Sequence, residues 1–258
     1  MSAASSDIST GRLIQDEAHG GEFNMAADLY LSQEAGKSGQ VILRLYGWDL
    51  PTLSLGFHQK FDDILRHSYA ARGIPIVRRP TGGRAVLHDQ ELTYCLAIPV
   101  GHRLVMDGKD KLQESIGRAF VEAGCMIGLH PQLVRRGVDD QGAQIHFASG
   151  SPLCFDSISR WEVRLNGRKW IGSAQRILPG SYLQHGSILL TDCNQNEISR
   201  LDGNSRPIDP ARLRDALAQS LENTLHLVWQ EQGWMEFELA QINNHLSIPE
   251  DNLPKLAS

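Results

Sequence analysis

The residues best suited to chemistry form short clusters, and RRPTGGRAVLHD at residues 78–89 is the densest. Arginines supply forked donors for a phosphate or a carboxylate, and paired glycines let the backbone approach a ligand closely. Taken singly, a Gly–Gly pair is more often a plain turn and a histidine more often a structural residue. Their density in one segment favours a binding site. The candidate binding residues here are Arg79, Gly82, Gly83, Arg84 and His88.

Two further clusters, GSAQR at residues 172–176 and QHGS at 184–187, are rich in small residues. Small side chains leave room for a slender ligand, such as an alkyl chain or a phosphopantetheine arm. The alternatives are close packing of two strands for the first cluster, and the start of a strand for the second. The candidate binding residues are Gly172, Ser173, Ala174, His185 and Gly186.

Two reactive side chains accompany these clusters. Cys154 lies at the end of a loop rich in glycine, serine and proline, where a thiol can face a pocket. A free cysteine is more often a small buried hydrophobe, as we expect for Cys95 within a strand. Lys169 taken alone is more often a solvated surface lysine, although a lysine beside a thiol can supply positive charge or act as a base. Both are candidate catalytic residues.

Strands and hairpins position these clusters. Asn166-Gly167 predicts a type I′ turn between strands at 161–165 and 168–171, because both turn positions require a positive φ. Apolar, β-favouring runs predict further strands. These lie at 41–46, 52–55, 74–77, 92–98 and 186–190. The mixture of hairpins and helices predicts an α+β fold with a mixed, largely antiparallel sheet flanked by helices, and not a doubly wound one.

Helices are predicted from caps and apolar spacing. Asn24 is the expected cap of a helix through residue 31, with Gly36 just past its end. Asp110 is the expected cap of a second helix that Gly124 ends and that buries Leu112, Ile116 and Phe120. Asp209 and Pro210 begin a third helix, in which Leu213, Leu217, Leu221 and Leu225 keep i+4 spacing. The segment from about 207 to 258 is expected to be helical.

Composition limits the classes of function. The 258 residues carry a net charge of −5, so there is no basic footprint for a nucleic acid. No apolar run approaches the length that a membrane span needs. The four cysteines have no metal-ligand spacing, which favours free thiols, a cytoplasmic location and no metal. Residues 1–19 are expected to be a disordered tail, and 20–258 a single domain.

The motifs also resemble a known family. The segments NMAAD (24–28), SLG (54–56), RRPTGGRAVLHDQELTY (78–94), GSAQR (172–176) and QHGSILL (184–190) resemble, in this order, the lipoate and octanoate transferases and ligases of the biotin/lipoate protein ligase superfamily. The resemblance covers roughly residues 20 to 195. It implies the biotin/lipoate ligase catalytic-domain fold, which is similar to that of class II synthetases, over 20–258.

Within the superfamily the chain is most similar to the octanoyltransferase branch called LipM. ATP-dependent ligases usually have a glycine where Arg84 stands and a further C-terminal domain, for which too few residues remain. The resemblance implies that Cys154 accepts the acyl group and that Lys169 lies in the pocket. It implies octanoyl-acyl carrier protein as donor, a lysine of a lipoyl domain or of glycine-cleavage H protein as acceptor, and no cofactor.

Three alternatives remain open from the sequence. An ATP-dependent lipoate–protein ligase would need ATP and magnesium, would place Arg79, Gly82, Gly83 and Lys169 on the acyl phosphate, and would not need Cys154. A lipoyl or octanoyl amidotransferase would use the cysteine with another carrier protein as donor. A non-catalytic module that binds an acyl or lipoyl group would tolerate loss of the cysteine.

Overall fold

The computed structural model describes residues 9–60, 62–135, 161–190 and 207–246. Cys154 and Cys193 therefore lie outside the described residues. Eleven strands and six helices occur within these ranges. The strands are β1 (Ser9–His19), β2 (Val41–Trp48), β3 (Thr52–Leu55), β4 (Ile76–Arg78), β5 (Val86–His88), β6 (Glu91–Pro99), β7 (Gln132–Leu133), β8 (Val163–Leu165), β9 (Arg168–Leu178), β10 (Ser181–Leu189) and β11 (Leu227–Glu231). The helices are α1 (Gly21–Ser38), α2 (Asp63–Ala71), α3 (Arg103–Met106), α4 (Lys109–Met126), α5 (Pro210–Leu225) and α6 (Glu236–Leu246).

Eight strands form one large sheet in the order β11-β1-β2-β6-β10-β9-β8-β7. β1 runs parallel to both of its neighbours, β11 and β2, and the remaining pairs are antiparallel. A small sheet has β3 between a parallel β4 and an antiparallel β5. The predicted α+β class with a mixed, largely antiparallel sheet is confirmed.

Helices cover both faces of the large sheet, and the central strand β6 shows why. All nine of its residues are buried. Alternate side chains of a strand point to opposite faces. Leu92, Tyr94, Leu96 and Ile98 accordingly pack in the cluster that contains α4 and α5, whereas Cys95 and Ala97 pack with α1. A strand that is buried on both faces has a continuous run of mainly apolar residues instead of an alternation of apolar and polar ones. Residues 92–98 show this pattern.

The predicted turns and leucine stripe agree with the structure. Asn166 and Gly167 have φ angles of 51° and 79°, as a type I′ turn requires. Asp209 caps α5 by accepting a hydrogen bond from the backbone N–H of Ala211, and Pro210 is the first helical residue. The four leucines at 213, 217, 221 and 225 are fully buried. Local rules suffice for these elements because their signals lie within a few residues.

The predicted disordered tail is wrong for residues 9–19, which form β1. The strand was missed because its sequence is polar and its partners are far away in the chain. Arg12 is buried in it and pairs with Glu238, with N–O distances of 2.7 and 2.8 Å, and it also donates to the carbonyl of Gly233. Residues 1–8 lie outside the described part of the chain.

Several predicted element boundaries are also wrong. Helix α1 begins at Gly21 and continues past Gly36, which packs against the backbone of Gly180 instead of ending the helix. Asn24 lies inside α1 and is no cap. Helix α4 has Gly108 at its N-cap position, so Asp110 falls in the first turn, and the helix runs two residues beyond Gly124. Strand β11 interrupts the C-terminal segment that was predicted to be helical. Over the described ranges, no helix has the length and apolar character that crossing a membrane requires.

Replacing Leu217 by alanine should lower the free energy of unfolding by about 2–5 kcal/mol, because the change leaves a cavity in the main core. Urea denaturation with an unchanged m-value measures this difference. Leu50→Ala is the matched control, since Leu50 is 60% exposed, and it should change stability by no more than about 0.5 kcal/mol. Equal losses in both variants would contradict the assignment of α5 to the core.

Candidate active site

The two small-residue clusters are neighbours on adjacent strands. Gly172 and Ser173 of β9 pair with Ser187 and Gly186 of β10. A Cβ atom at Gly186 would lie 2.3 Å from the carbonyl oxygen of Gly172, so only glycine fits there. Close packing of two strands, the alternative reading of the first cluster, therefore occurs at this pair. The same strands also border two cavities, so the small residues serve close strand packing and also line a space for a ligand.

The arginine–glycine loop, residues 79–84, is held in shape mainly by Arg79. Its guanidinium donates to the carbonyl oxygens of Gly82, Arg84 and Ser54 at 2.6–3.1 Å. The side chain is buried, and it borders the smaller cavity. Gly83 has a φ of +93°, and a Cβ atom on it would lie 2.8 Å from the Arg79 guanidinium. Arg79 and Gly83 therefore both determine the conformation of the loop.

The larger cavity has a volume of about 250 Å³. Its wall combines the loop glycines with polar side chains from four parts of the chain: Gln113 from α4, Glu162 from just before β8, Ser173 from β9 and Gln184 from β10. Apolar side chains of α4 complete it. A cavity lined in this mixed way suits a ligand with both polar and apolar parts.

The smaller cavity, about 30 Å³, shares Ser173 and Ala174 with the larger one. Its other walls expose mainly apolar surface and come from α1, from both sheets and from Arg79 of the loop. They include Met25, Tyr46, Trp48 and Val86, together with the predicted residues Gly172, His185 and Gly186. The small residues of β9 and β10 thus stand where the two cavities adjoin.

Lys169 is buried and not the solvated surface lysine that its local sequence favours. Its Nζ atom donates to Oε1 of Glu162 at 2.7 Å, and the lysine and glutamate side chains are 2% and 7% exposed. Glu162 also borders the larger cavity, so the pair places a charged group at its wall. Sequence reasoning missed Glu162. Its position before the apolar strand β8, across the hairpin from Lys169, is the signal that was available.

His185 is held between Asp28 and Thr81. Since a carboxylate can only accept, Nδ1–H of the ring donates to Asp28 at 2.8 Å, and Nε2 accepts from the Thr81 hydroxyl at 2.6 Å. Burial lowers the pKa of His185 below its ordinary value of 6.5, and this outweighs the opposing effect of Asp28. The ring is therefore neutral, and it ties the arginine–glycine loop to α1. Asp28 and Thr81 were not predicted as site residues.

His88 makes a second buried network. Its Nε2 atom lies 2.7 Å from the Ser54 hydroxyl, its Nδ1 atom lies 2.7 Å from Glu91, and its ring stacks on Trp48 with centroids 3.9 Å apart. Both predicted histidines thus border the smaller cavity, but each is engaged in buried hydrogen bonds. Arg84 takes part in the loop through its backbone carbonyl, which accepts a hydrogen bond from Arg79.

Comparison with known proteins identifies the family. Residues 21–223 match the model of the lipoyl protein ligase A/B catalytic domain. The chain belongs to this family. Among curated relatives, octanoyltransferase LipM of Kyrpidia tusciae is 40% identical over 186 residues, which are 71% of this chain and 67% of the relative. Octanoyltransferase LipM of Brevibacillus brevis is 38% identical over 182 residues, 69% of this chain and 65% of the relative. The chain thus spans about two thirds of the length of these relatives, and they confirm the predicted octanoyltransferase branch.

Solved structures of the family share the fold. A putative lipoate protein ligase from Thermoplasma acidophilum with bound lipoic acid superposes with a TM-score of 0.67 at 20% identity and covers 91% of this chain and 93% of its own. A lipoate-protein ligase A bound with ATP gives a TM-score of 0.66 at 20% identity over the same shares. The predicted family fold is confirmed.

The buried histidine makes stability depend on pH. We expect the free energy of unfolding to fall as pH drops below about 6.5, since the unfolded chain then binds a proton at His185 that the folded chain does not. His185→Gln should be less stable at neutral pH, because Asp28 and Thr81 lose their partner. Its free energy of unfolding should nevertheless change less between about pH 7.5 and pH 5.5. Urea denaturation at several pH values measures both effects.

The control is His130→Gln, since His130 is exposed. It should keep the pH dependence of the wild type. The same pH dependence in His185→Gln as in the wild type would contradict the lowered pKa of His185, because it would mean that folding leaves the proton affinity of this histidine unchanged.

Proposed function

We propose that this protein transfers an octanoyl group from a thioester on acyl carrier protein to a lysine of a lipoyl domain or of glycine-cleavage H protein. The observation that carries the proposal is the arrangement of the two adjoining cavities, whose shared wall is built from the family's motif residues Ser173 and Ala174. The curated octanoyltransferase relatives support the same reaction class.

The acyl chain belongs in the smaller, apolar cavity. At about 30 Å³ this cavity accepts a chain only when lining side chains shift. Met25 is suited to such a shift because its unbranched thioether side chain adapts readily. The carbonyl group then lies at Ser173 and Ala174. The larger, more polar cavity receives the carrier arm and, in the second half of the reaction, the acceptor lysine.

Cys154, outside the described residues, is the proposed nucleophile. Its thiolate attacks the carbonyl carbon, a new C–S bond forms, and the carrier thiolate leaves. The acceptor amine then attacks this acyl-enzyme, an amide bond forms, and the cysteine thiolate is released while the amine loses a proton. A thioester is already activated, so the transfer requires no ATP.

Lys169 is the proposed partner of that thiol. As an ammonium group paired with Glu162, it favours the thiolate form of a nearby cysteine. A lysine that has given up its proton can accept one from the acceptor amine. The ion pair keeps Nζ in one place beside Glu162, which borders the larger cavity.

The first test is intact-protein mass spectrometry after mixing the protein with octanoyl-loaded acyl carrier protein, without ATP. The wild type should gain the mass of one octanoyl group, and Cys154→Ala should not. Cys125→Ala is the matched control, because Cys125 is an exposed cysteine in α4, and it should acylate normally.

An adduct that persists in Cys154→Ala would contradict the nucleophile. Activation of free octanoate that occurs only with ATP and magnesium would instead indicate a ligase. Transfer from an octanoylated H protein but not from acyl carrier protein would indicate an amidotransferase.

Lys169→Met should lower kcat by about 10²-fold or more, because it removes the charge and the base. It should also destabilise the fold by about 3–5 kcal/mol, since the variant breaks the buried ion pair between Lys169 and Glu162. The double variant Lys169→Met/Glu162→Gln removes both charges and should recover most of this stability but none of the activity. Stability follows from urea denaturation and kcat from octanoyl transfer. Recovery of activity in the double variant would make the lysine purely structural.

A further inference from the structure

A chain of side-chain hydrogen bonds crosses the core and ends at the larger cavity. The Tyr182 hydroxyl donates to Oε1 of Gln184 at 2.5 Å, and Nε2 of Gln184 donates to the Tyr94 hydroxyl at 2.9 Å. The Tyr94 hydroxyl in turn donates to Oγ of Ser173 at 2.7 Å. Tyr94, Tyr182 and Gln184 are buried, whereas Ser173 is only partly so.

The chemistry of these groups sets the direction of the chain. An amide nitrogen can only donate, so the Tyr94 oxygen must accept from Gln184. The single hydrogen of Tyr94 is then given to Ser173. Burial raises the pKa of both Tyr94 and Tyr182, so both phenols keep their hydrogens. The Ser173 oxygen has accepted a bond, and its own hydrogen is not used in it.

Ser173 borders both cavities, at the point where the larger, polar one adjoins the smaller, apolar one. Its neighbours Gly172 and Ala174 carry no polar side-chain group that could compete for a ligand. A hydroxyl at this boundary meets the group where a polar head changes into an alkyl chain. In an acyl thioester that group is the carbonyl.

We propose that the Ser173 hydroxyl donates a hydrogen bond to the acyl carbonyl oxygen as the tetrahedral intermediate forms, and that Tyr94 positions it. This inference rests on the proposed acyl transfer. When a nucleophile adds to the carbonyl carbon, the π electrons move to oxygen, and the negative charge there strengthens a bond from a fixed donor. No proton is transferred to the oxygen. When the intermediate collapses, the C=O bond re-forms and the thiolate leaves.

The hydrogen bonds from Gln184 to Tyr94 and from Tyr94 to Ser173 make the serine hydroxyl a more effective donor. A freely rotating serine hydroxyl has to reorient as charge develops, whereas one whose oxygen already accepts a bond from Tyr94 is restricted in the directions its hydrogen can take. Tyr94 does not touch the reacting atoms in this arrangement. It is therefore a positioning residue, and Ser173 is the catalytic one.

The test compares steady-state transfer from octanoyl-acyl carrier protein to a lipoyl domain. Ser173→Ala should lower kcat by about 10²-fold to 10³-fold, with KM changed much less. Tyr94→Phe keeps the serine hydroxyl but removes its hydrogen-bond donor, and it should lower kcat by about tenfold. The double variant should be no slower than Ser173→Ala alone, because Tyr94 acts only through Ser173.

Two matched variants control for loss of a buried hydroxyl. Ser220→Ala in α5 and Tyr30→Phe in α1 remove hydroxyls from residues that border neither cavity, and both should keep the kcat of the wild type. Urea denaturation of each variant shows whether it is folded. Tyr94→Phe, which leaves the active-site serine in place, tests the hydrogen bond from Tyr94 to Ser173 on its own if Ser173→Ala does not fold.

An analogue without the carbonyl separates transition-state stabilisation from ground-state binding. Acyl carrier protein bearing an S-octyl thioether should bind Ser173→Ala and the wild type equally well. Wild-type turnover together with an unchanged kcat in Ser173→Ala would overturn the inference and leave the acyl transfer intact. If the fold losses in kcat of Ser173→Ala and Tyr94→Phe multiply in the double variant, Tyr94 has a separate, structural role. A wild type without octanoyl transfer would instead contradict the proposed function.

Discussion

Arg44 brings a positive charge to the centre of the large sheet, where its side chain is fully buried. A buried charge is tolerated only when it is paired and its donors are satisfied. Its guanidinium donates to Asp16 at 2.7 Å, to Asp28 at 3.1 Å and to the side-chain oxygen of Asn24 at 2.7 Å. Three elements, β1, α1 and β2, are thereby held in one arrangement. Trp234 donates to the same carboxylate of Asp16, which attaches the C-terminal segment to it.

The site depends on this network through Asp28. Its second oxygen accepts from Tyr46 and from the neutral His185, and His185 accepts from Thr81 in the arginine–glycine loop. The loop therefore keeps its position relative to the central strands because its hydrogen bond to His185 leads, through Asp28, to the buried charge of Arg44. Asp28 belongs to the NMAAD segment of α1, but nothing local in that segment shows what its carboxylate contacts, because His185 and the loop residue Thr81 are distant in sequence.

Space and polarity at the site come from different features of β9 and β10. Gly172 and Gly186 border the smaller cavity, and they approach each other so closely that no Cβ atom fits at Gly186. The polar groups are bonded to one another within the protein. Lys169 pairs with Glu162, and a chain of hydrogen bonds runs from Tyr182 to Ser173. Because each buried polar group has a partner, its direction is set before a ligand arrives. Such preorganised donors are what acyl transfer requires.

Features whose physical causes are local could be predicted from the sequence. The Asn166-Gly167 turn, the cap at Asp209 and the leucine stripe of α5 follow from backbone sterics and helical spacing over a few residues. The motif residues of the loop and of β9 and β10 could likewise be named in advance as candidates, and the structure places all of the candidate binding residues except Arg84 around the two cavities.

The tertiary structure sets the contacts of those residues. It made β1 from a polar segment by pairing it with β2 and β11, placed Asn24 inside α1, and buried Lys169 against Glu162. It also joined Thr81 to His185 across 104 positions and His185 to Asp28 across 157. Burial of a charged or polar group is favourable only when a partner from a distant segment satisfies it, and no local pattern encodes that partner.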